Sequence, residues 1–214
     1  MSHQFDSLIA SLVADLQPVQ PLKLRRGLAI TLSAMLASVL VSVFGIGLRP
    51  DILAGLLDPV FLLSSGLFLL LAVASSFTVI EMSRPQVGGH RDGWKWAAAM
   101  IALLPASAGL MAGIAWFKGT MPIVDLEGAK CLAMGVALGT IVGLSLVVGL
   151  RKGAATSPER AGLLTGLAAG SSGIFAFALH CPHNDIAHIG LWHGLAVAVS
   201  VGLGRLIVPP LVRW

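Results

Sequence analysis

Charge is what this chain has least of. Only 11% of its 214 residues are Asp, Glu, Lys or Arg, where an ordinary soluble domain has about 25%. Tyrosine is missing altogether and there are two cysteines. The first twenty residues contain no Lys or Arg, so they lack the charged region that a signal peptide needs. No acidic or basic residue stands at the centre of any long apolar run, which removes the usual mark of a proton or ion path through a membrane. There is no CxxC or HExxH metal pattern, no apparent Ser–His–Asp order and no glycine-rich phosphate loop before a helix. These absences argue against an enzyme.

What remains is very apolar: 56% hydrophobic residues, mean hydropathy +0.89 and 25 glycines. That composition places the chain among integral membrane proteins. Six runs approach the ~20 residues a helix needs to cross a bilayer core: 27–48, 60–80, 94–117, 129–150, 161–179 and 191–208. Pro105 interrupts the third, which membrane helices tolerate when neighbours satisfy the freed carbonyl. The fifth is the weakest, being rich in Gly, Ala and Ser. Glycines recur at four-residue spacing (Gly109 and Gly113; Gly135, Gly139 and Gly143; Gly162, Gly166 and Gly170; Gly190 and Gly194). Such stripes let helix backbones approach closely and are read here as bundle packing.

Basic residues give the orientation. Lys23, Arg25, Arg26, Arg84, Arg91, Lys95, Arg151, Lys152, Arg160, Arg205 and Arg213 fall on one side of a six-span arrangement, and only Arg49, Lys118 and Lys130 on the other. By the positive-inside rule both termini are expected in the cytoplasm. The formal charge of +4 then reflects loops beside anionic lipid and gives no reason to expect direct nucleic-acid binding.

Residues 1–22 stand apart from the spans at 23–214. Phe5, Leu8, Ile9, Leu12, Val13 and Leu16 follow helical spacing and form one apolar stripe, with Asp6 placed to cap the first turn and Pro18 and Pro21 ending the helix. A helix this short is marginal alone in water. Interfacial helices carry Lys or Arg on the polar face, whereas this one has Asp6 and Asp15. The segment is therefore read as an amphipathic docking helix for a protein partner with an apolar groove and a basic rim.

Four of the six histidines and one of the two cysteines lie within HCPHNDIAHIGLWH, residues 180–193. The topology puts this loop, and Cys131 at the head of the fourth span, on the side where disulfides persist. Imidazole and thiolate suit zinc, copper or cadmium, which makes Cys131, Cys181, His180, His183, His188 and His193 candidate ligands. On an ideal α-helix His188 and His193 stand about 140° apart and would not hold one ion together. A structural Cys131–Cys181 disulfide and a sensing dithiol both fit the sequence, the former requiring Cα atoms within about 7 Å.

Taken together, the segment ADLQPVQPL (residues 14–22), the six spans, Cys131 and HCPHNDIAHIGLWH resemble the NrsF-like family, the negative regulators of sigma factor F, over nearly the whole chain. The resemblance implies an all-α, six-helix transmembrane bundle in the bacterial inner membrane. It implies an anti-sigma factor that holds an extracytoplasmic-function sigma factor through its cytoplasmic N-terminal helix. It also implies release under heavy-metal stress of the chromate, cadmium or copper type, with Cys131 and Cys181 as sensing thiols and the histidines as accessory ligands. No obligatory cofactor is expected; copper, zinc or cadmium would act as signals. One departure is Asp185-Ile186, where family members commonly have proline after the aspartate. Two other classes compete: a small metal or metabolite permease, and a membrane redox protein with histidine ligands to copper or haem.

Overall fold

The computed structural model describes residues 2–14, 23–84 and 128–212, with single positions between 95 and 117. The described part is all helical. In chain order the helices are α1 (Ser2–Ala14), α2 (Leu24–Val41, prolonged by a π-helical turn Ser42–Ile46), the short α3 (Pro50–Leu53), α4 (Pro59–Met82), α5 (Gly128–Arg151), α6 (Pro158–Ala178) and α7 (Ile186–Val212). Within α7 the stretch Ile189–His193 is π-helical.

Five of these helices are long and apolar enough to cross a membrane: α2 with its π turn, α4, α5, α6 and α7. Four expected spans, 27–48, 60–80, 129–150 and 161–179, coincide with α2, α4, α5 and α6 to within three residues at each end. The last expected span, 191–208, begins five residues too late. Asp185 caps the helix at that point, its carboxylate accepting a 2.7 Å hydrogen bond from the His188 amide, so the ordered turn starts at Ile186. The third expected span, 94–117, lies largely outside the described residues, although each described position within it is helical.

Local chemistry sets the other boundaries. Pro50, Pro59 and Pro158 occupy first helical positions, where a missing N–H costs nothing. The Asp58 carboxylate accepts from Val60 N at 2.7 Å to cap α4. Gly47 ends the π turn of α2 with φ 109°, a conformation that strains any residue with a Cβ.

The central element is α6, with 89% of its most apolar window buried against the other helices. Its apparent weakness as a span has a packing cause. A methyl at Gly166 would fall on the carbonyl of Ser200 in α7, one at Gly162 on that of Gly204, and one at Gly173 on that of Gly135 in α5. In the other direction, a methyl at Gly139 of α5 would meet the Ala169 carbonyl of α6. Lipid is as apolar as leucine, so close backbone approach and dispersion hold such helices together. Glycine, alanine and serine on α6 are therefore the residues that let several helices gather around it. The stripes on α5 and α6 are packing stripes, while Gly109 and Gly113 meet nothing within 4 Å among the described residues. Several hydroxyls buried in the bundle turn back onto their own helices, as Thr78 does to Ala74 O at 2.9 Å and Ser200 to Ala196 O at 2.8 Å. Ser38 of α2 also reaches across to Leu138 O of α5 at 3.0 Å.

The loops define two ends. At one, Ala154 N donates to Ser83 O at 2.9 Å, joining the α5–α6 connection to the end of α4. Lys23, Arg84, Arg151 and Lys152 belong to this end. At the other, Arg49 N donates to Leu179 O at 3.0 Å, and both cysteines lie there. The helix α1 is exposed along all its described side chains, with Phe5, Leu8, Ile9, Leu12 and Val13 each more than half exposed. It starts at Ser2, so Asp6 sits in its second turn and does not cap it. Leu16, Pro18 and Pro21 lie outside the described residues.

Candidate functional site

Three helix ends converge on the thiols. Cys131 is in the first turn of α5, Cys181 follows the last turn of α6, and His188 and His193 are in the first turns of α7. The cysteines pack in a small apolar cluster with Leu138, Ala176 and Phe177, flanked by Trp192. The indole of Trp192 lies over Gly128, where any Cβ would collide with it, so the start of α5 fits closely under the start of α7. Both sulfurs are almost fully buried, Cys131 at 6% and Cys181 at 2% exposure.

The two Sγ atoms are 3.8 Å apart and unbonded. Nε2 of His188 lies 3.4 Å from Cys131 Sγ and 3.6 Å from Cys181 Sγ. His193 completes the group: each of the four residues offers a ligand atom within 4.8 Å of the others, and all four are buried. Nε2 of His193 is buried with no hydrogen-bond partner. The Cys181 thiol is held well below its usual pKa, first by a hydrogen bond from Cys131, with His188 and His193 adding to it and burial opposing. Of the two thiols, Cys181 is the one whose ionised form these contacts favour.

The pairing of His188 with His193 differs from the expectation that they face apart. The intervening turn is π-helical, with i→i+5 bonding in place of i→i+4. Residues five apart then stack one above the other, and the two rings meet edge to face at 5.5 Å. Such a one-residue expansion leaves no trace in apolar periodicity.

His183 stacks on His188 at 4.6 Å and, with Asp185 and His188, forms a second, more exposed group of donor atoms within 4.8 Å. His180 is not part of either group. Its ring packs against Phe177 at 5.5 Å, and its Nδ1 is 3.1 Å from the carbonyl of Gly47. The residue that sequence reading missed is Arg49. It is 3% exposed and grips Asp51 with two 2.6 Å bonds, Nε to Oδ1 and Nη2 to Oδ2. Nη2 also donates to Asn184 Oδ1 at 3.0 Å, and the guanidinium lies 4.7 Å above the Phe61 ring. Asp51 is held below the usual carboxylate pKa, chiefly by its bond to Arg49. The signal was present as a lone arginine two residues ahead of an aspartate, on the side otherwise poor in basic residues.

The described residues thus form an all-helical bundle with five helices long and apolar enough to cross a membrane and a buried thiol–imidazole cluster at one end. The family model described as "Negative regulator of sigma F" matches residues 12–214, and the chain belongs to that family. It is 29% identical to the anti-sigma-F factor NrsF of Caulobacter vibrioides, across 98% of this chain and 99% of that protein. It is 27% identical to the probable anti-sigma-F factor NrsF of Azospira oryzae, across 78% of each. No solved structure matches it. Membership makes a sigma factor the partner class.

Proposed function

We propose that this chain is an inner-membrane anti-sigma factor that holds an extracytoplasmic-function sigma factor through α1 and releases it when a soft metal ion reaches the thiol–imidazole site. The observation that carries the sensing half is the triangle of Cys131 Sγ, Cys181 Sγ and His188 Nε2. A tetrahedral ion with sulfur at about 2.3 Å and imidazole at about 2.0–2.1 Å sets sulfur–sulfur edges of about 3.8 Å and sulfur–nitrogen edges of about 3.6 Å. The edges here are 3.8, 3.4 and 3.6 Å. The orphaned Nε2 of His193 supplies the fourth donor after a small ring adjustment. Two thiolates and two imidazoles suit zinc, cadmium or copper(I). The contacts that favour the ionised form of Cys181 lower the proton cost of binding.

The 3.8 Å sulfur separation also supports a second trigger, oxidation of the pair to a disulfide with loss of two protons and two electrons to an oxidant such as chromate. Disulfide formation draws the α6–α7 loop towards α5, and an ion locks the two together at their present spacing. In either case the signal works only through a difference in affinity between two bundle arrangements. The exposed apolar face of α1, flecked with Asp6, supports docking into a groove with a basic rim. The concentration of basic residues at the α4–α5–α6 connections supports a cytoplasmic placement of that end and of α1.

The test is a cadmium titration of the detergent-solubilised chain carrying its co-purified sigma factor. One equivalent should produce a thiolate-to-cadmium absorption band and free the sigma factor, and the Cys131→Ser/Cys181→Ser double variant should do neither. A wild-type chain that shows no band, or a double variant that still releases, rejects the metal reading. Metal-dependent flux in proteoliposomes would favour a permease, and a Soret band a haem protein.

A further inference from the structure

We propose that Arg49 is the positioning residue of the thiol–imidazole site, holding the Cys181–His188 connection to the α2–α3 segment through Asn184. The inference rests on the sensing role of that site, and its geometry is as follows. Cys181 and His188 are seven positions apart, and Asn184 is near the middle of that stretch. Its side-chain oxygen accepts from Arg49 Nη2 at 3.0 Å. Asp185, the next residue, caps the turn that carries His188. Fixing Asn184 therefore fixes both the exit from Cys181 and the approach to His188.

Arg49 is itself built in. Its fork is closed by Asp51, its face is covered by Phe61 and its amide is tied to Leu179 O, two residues before Cys181. A guanidinium this deeply buried is retained only where its donors are used, because an unpaired buried charge is costly. A bidentate fork also fixes orientation in a way that a lysine ammonium does not. The contact between Gly47 O and His180 Nδ1 is a second tie from the same segment. Three consecutive bridges thus join residues 47–49 to residues 179–184. None belongs to the ligand set, and together they decide where Cys181 stands relative to Cys131.

The experiment reads thiol position without requiring a metal. Diamide oxidises two neighbouring thiols to a disulfide and is itself reduced to the hydrazine, so the closure rate reports how often Cys131 Sγ and Cys181 Sγ meet. In the full-length chain in detergent, Asn184→Ala and Arg49→Lys should slow closure at least fivefold. Asn184→Asp, which keeps an acceptor for Arg49, should close at the wild-type rate. A general loss of packing would slow all three, and the split between Ala and Asp at position 184 separates positioning from that. Equal rates in Asn184→Ala and wild type overturn the assignment, as does an Asn184→Asp variant as slow as Asn184→Ala. Should Arg49→Lys fail to fold, the two Asn184 variants decide alone. A cadmium band lost in wild type while the Ala/Asp split persists would reject the metal trigger and leave Arg49 in place. A normal cadmium response with no split would do the reverse.

Discussion

His188 and His193 share one face of α7 although they are five positions apart, and their rings meet at 5.5 Å. The π turn between them makes the pair, and the pair faces two buried sulfurs. Histidine-to-alanine changes should therefore divide sharply. His188→Ala and His193→Ala should each weaken cadmium binding by about 100-fold, or about 2.7 kcal/mol, in competition with a chelator. His180→Ala should leave the affinity within about threefold, because His180 looks away towards Gly47 and Phe177. A large effect at His180 would mean that the loop rearranges on binding.

The Arg49–Asp51 bond carries a pH signature. Asp51 has a folded pKa below its unfolded value, so its contribution to stability is present above the unfolded pKa of about 3.9 and is lost as pH falls through the lower folded value. The melting temperature of wild type minus that of Asp51→Asn should be positive and flat between pH 5 and pH 7. It should shrink towards zero below about pH 4. A gap that grows on acidification would contradict the assignment.

Glycines at helix crossings should be far less replaceable than glycines elsewhere. At Gly139 the obstacle is the backbone carbonyl of Ala169, which has no rotamer to change. Gly139→Ala should cost about 1–3 kcal/mol, the usual range for overpacking. Gly202→Ala meets nothing within 4 Å and should be neutral or stabilising by up to about 1 kcal/mol through helix propensity. Thermal melts of the two variants in one detergent give the comparison.

Orientation and docking can be read in cells. With both native cysteines replaced by serine, a Leu53→Cys chain should react with a membrane-impermeant thiol reagent in intact cells, since Leu53 is 73% exposed beside the Arg49 end. A Lys152→Cys chain should react only after the cells are opened. Leu12, 61% exposed on α1, is the centre of the proposed docking face, and Leu12→Asp should abolish co-purification of the sigma factor. Labelling in the opposite order would invert the topology and strand α1 on the wrong side.

Four span positions were legible because a run of some twenty apolar residues has few other uses. The two sulfurs could be placed at one depth from charge asymmetry alone, and they lie 3.8 Å apart. Three things were hidden. The π turn was hidden because periodicity assumes 3.6 residues per turn. Arg49 was hidden because its partner Asn184 is 135 residues away. His180 was grouped with the ligands for its place in the sequence, yet Gly47, just as remote, claims its ring nitrogen. The fifth run looked weak because hydropathy scales reward bulk, while α6 earns its central position by lacking it.

One mechanical consequence follows from where α2 begins and ends. Its 23 residues, Leu24–Ile46, form a rod about 35 Å long at 1.5 Å per residue. One tip leads within three residues to the arginine clasp, and the other follows in sequence on the segment that joins it to α1. On the proposed reading a tug at Asn184 would have no need of gears: a push-rod that slides or swivels by a fraction of a turn at one tip does so at the other. Cutting that linkage at Arg49 would slacken the sulfur pair and free the rod's tip in one stroke.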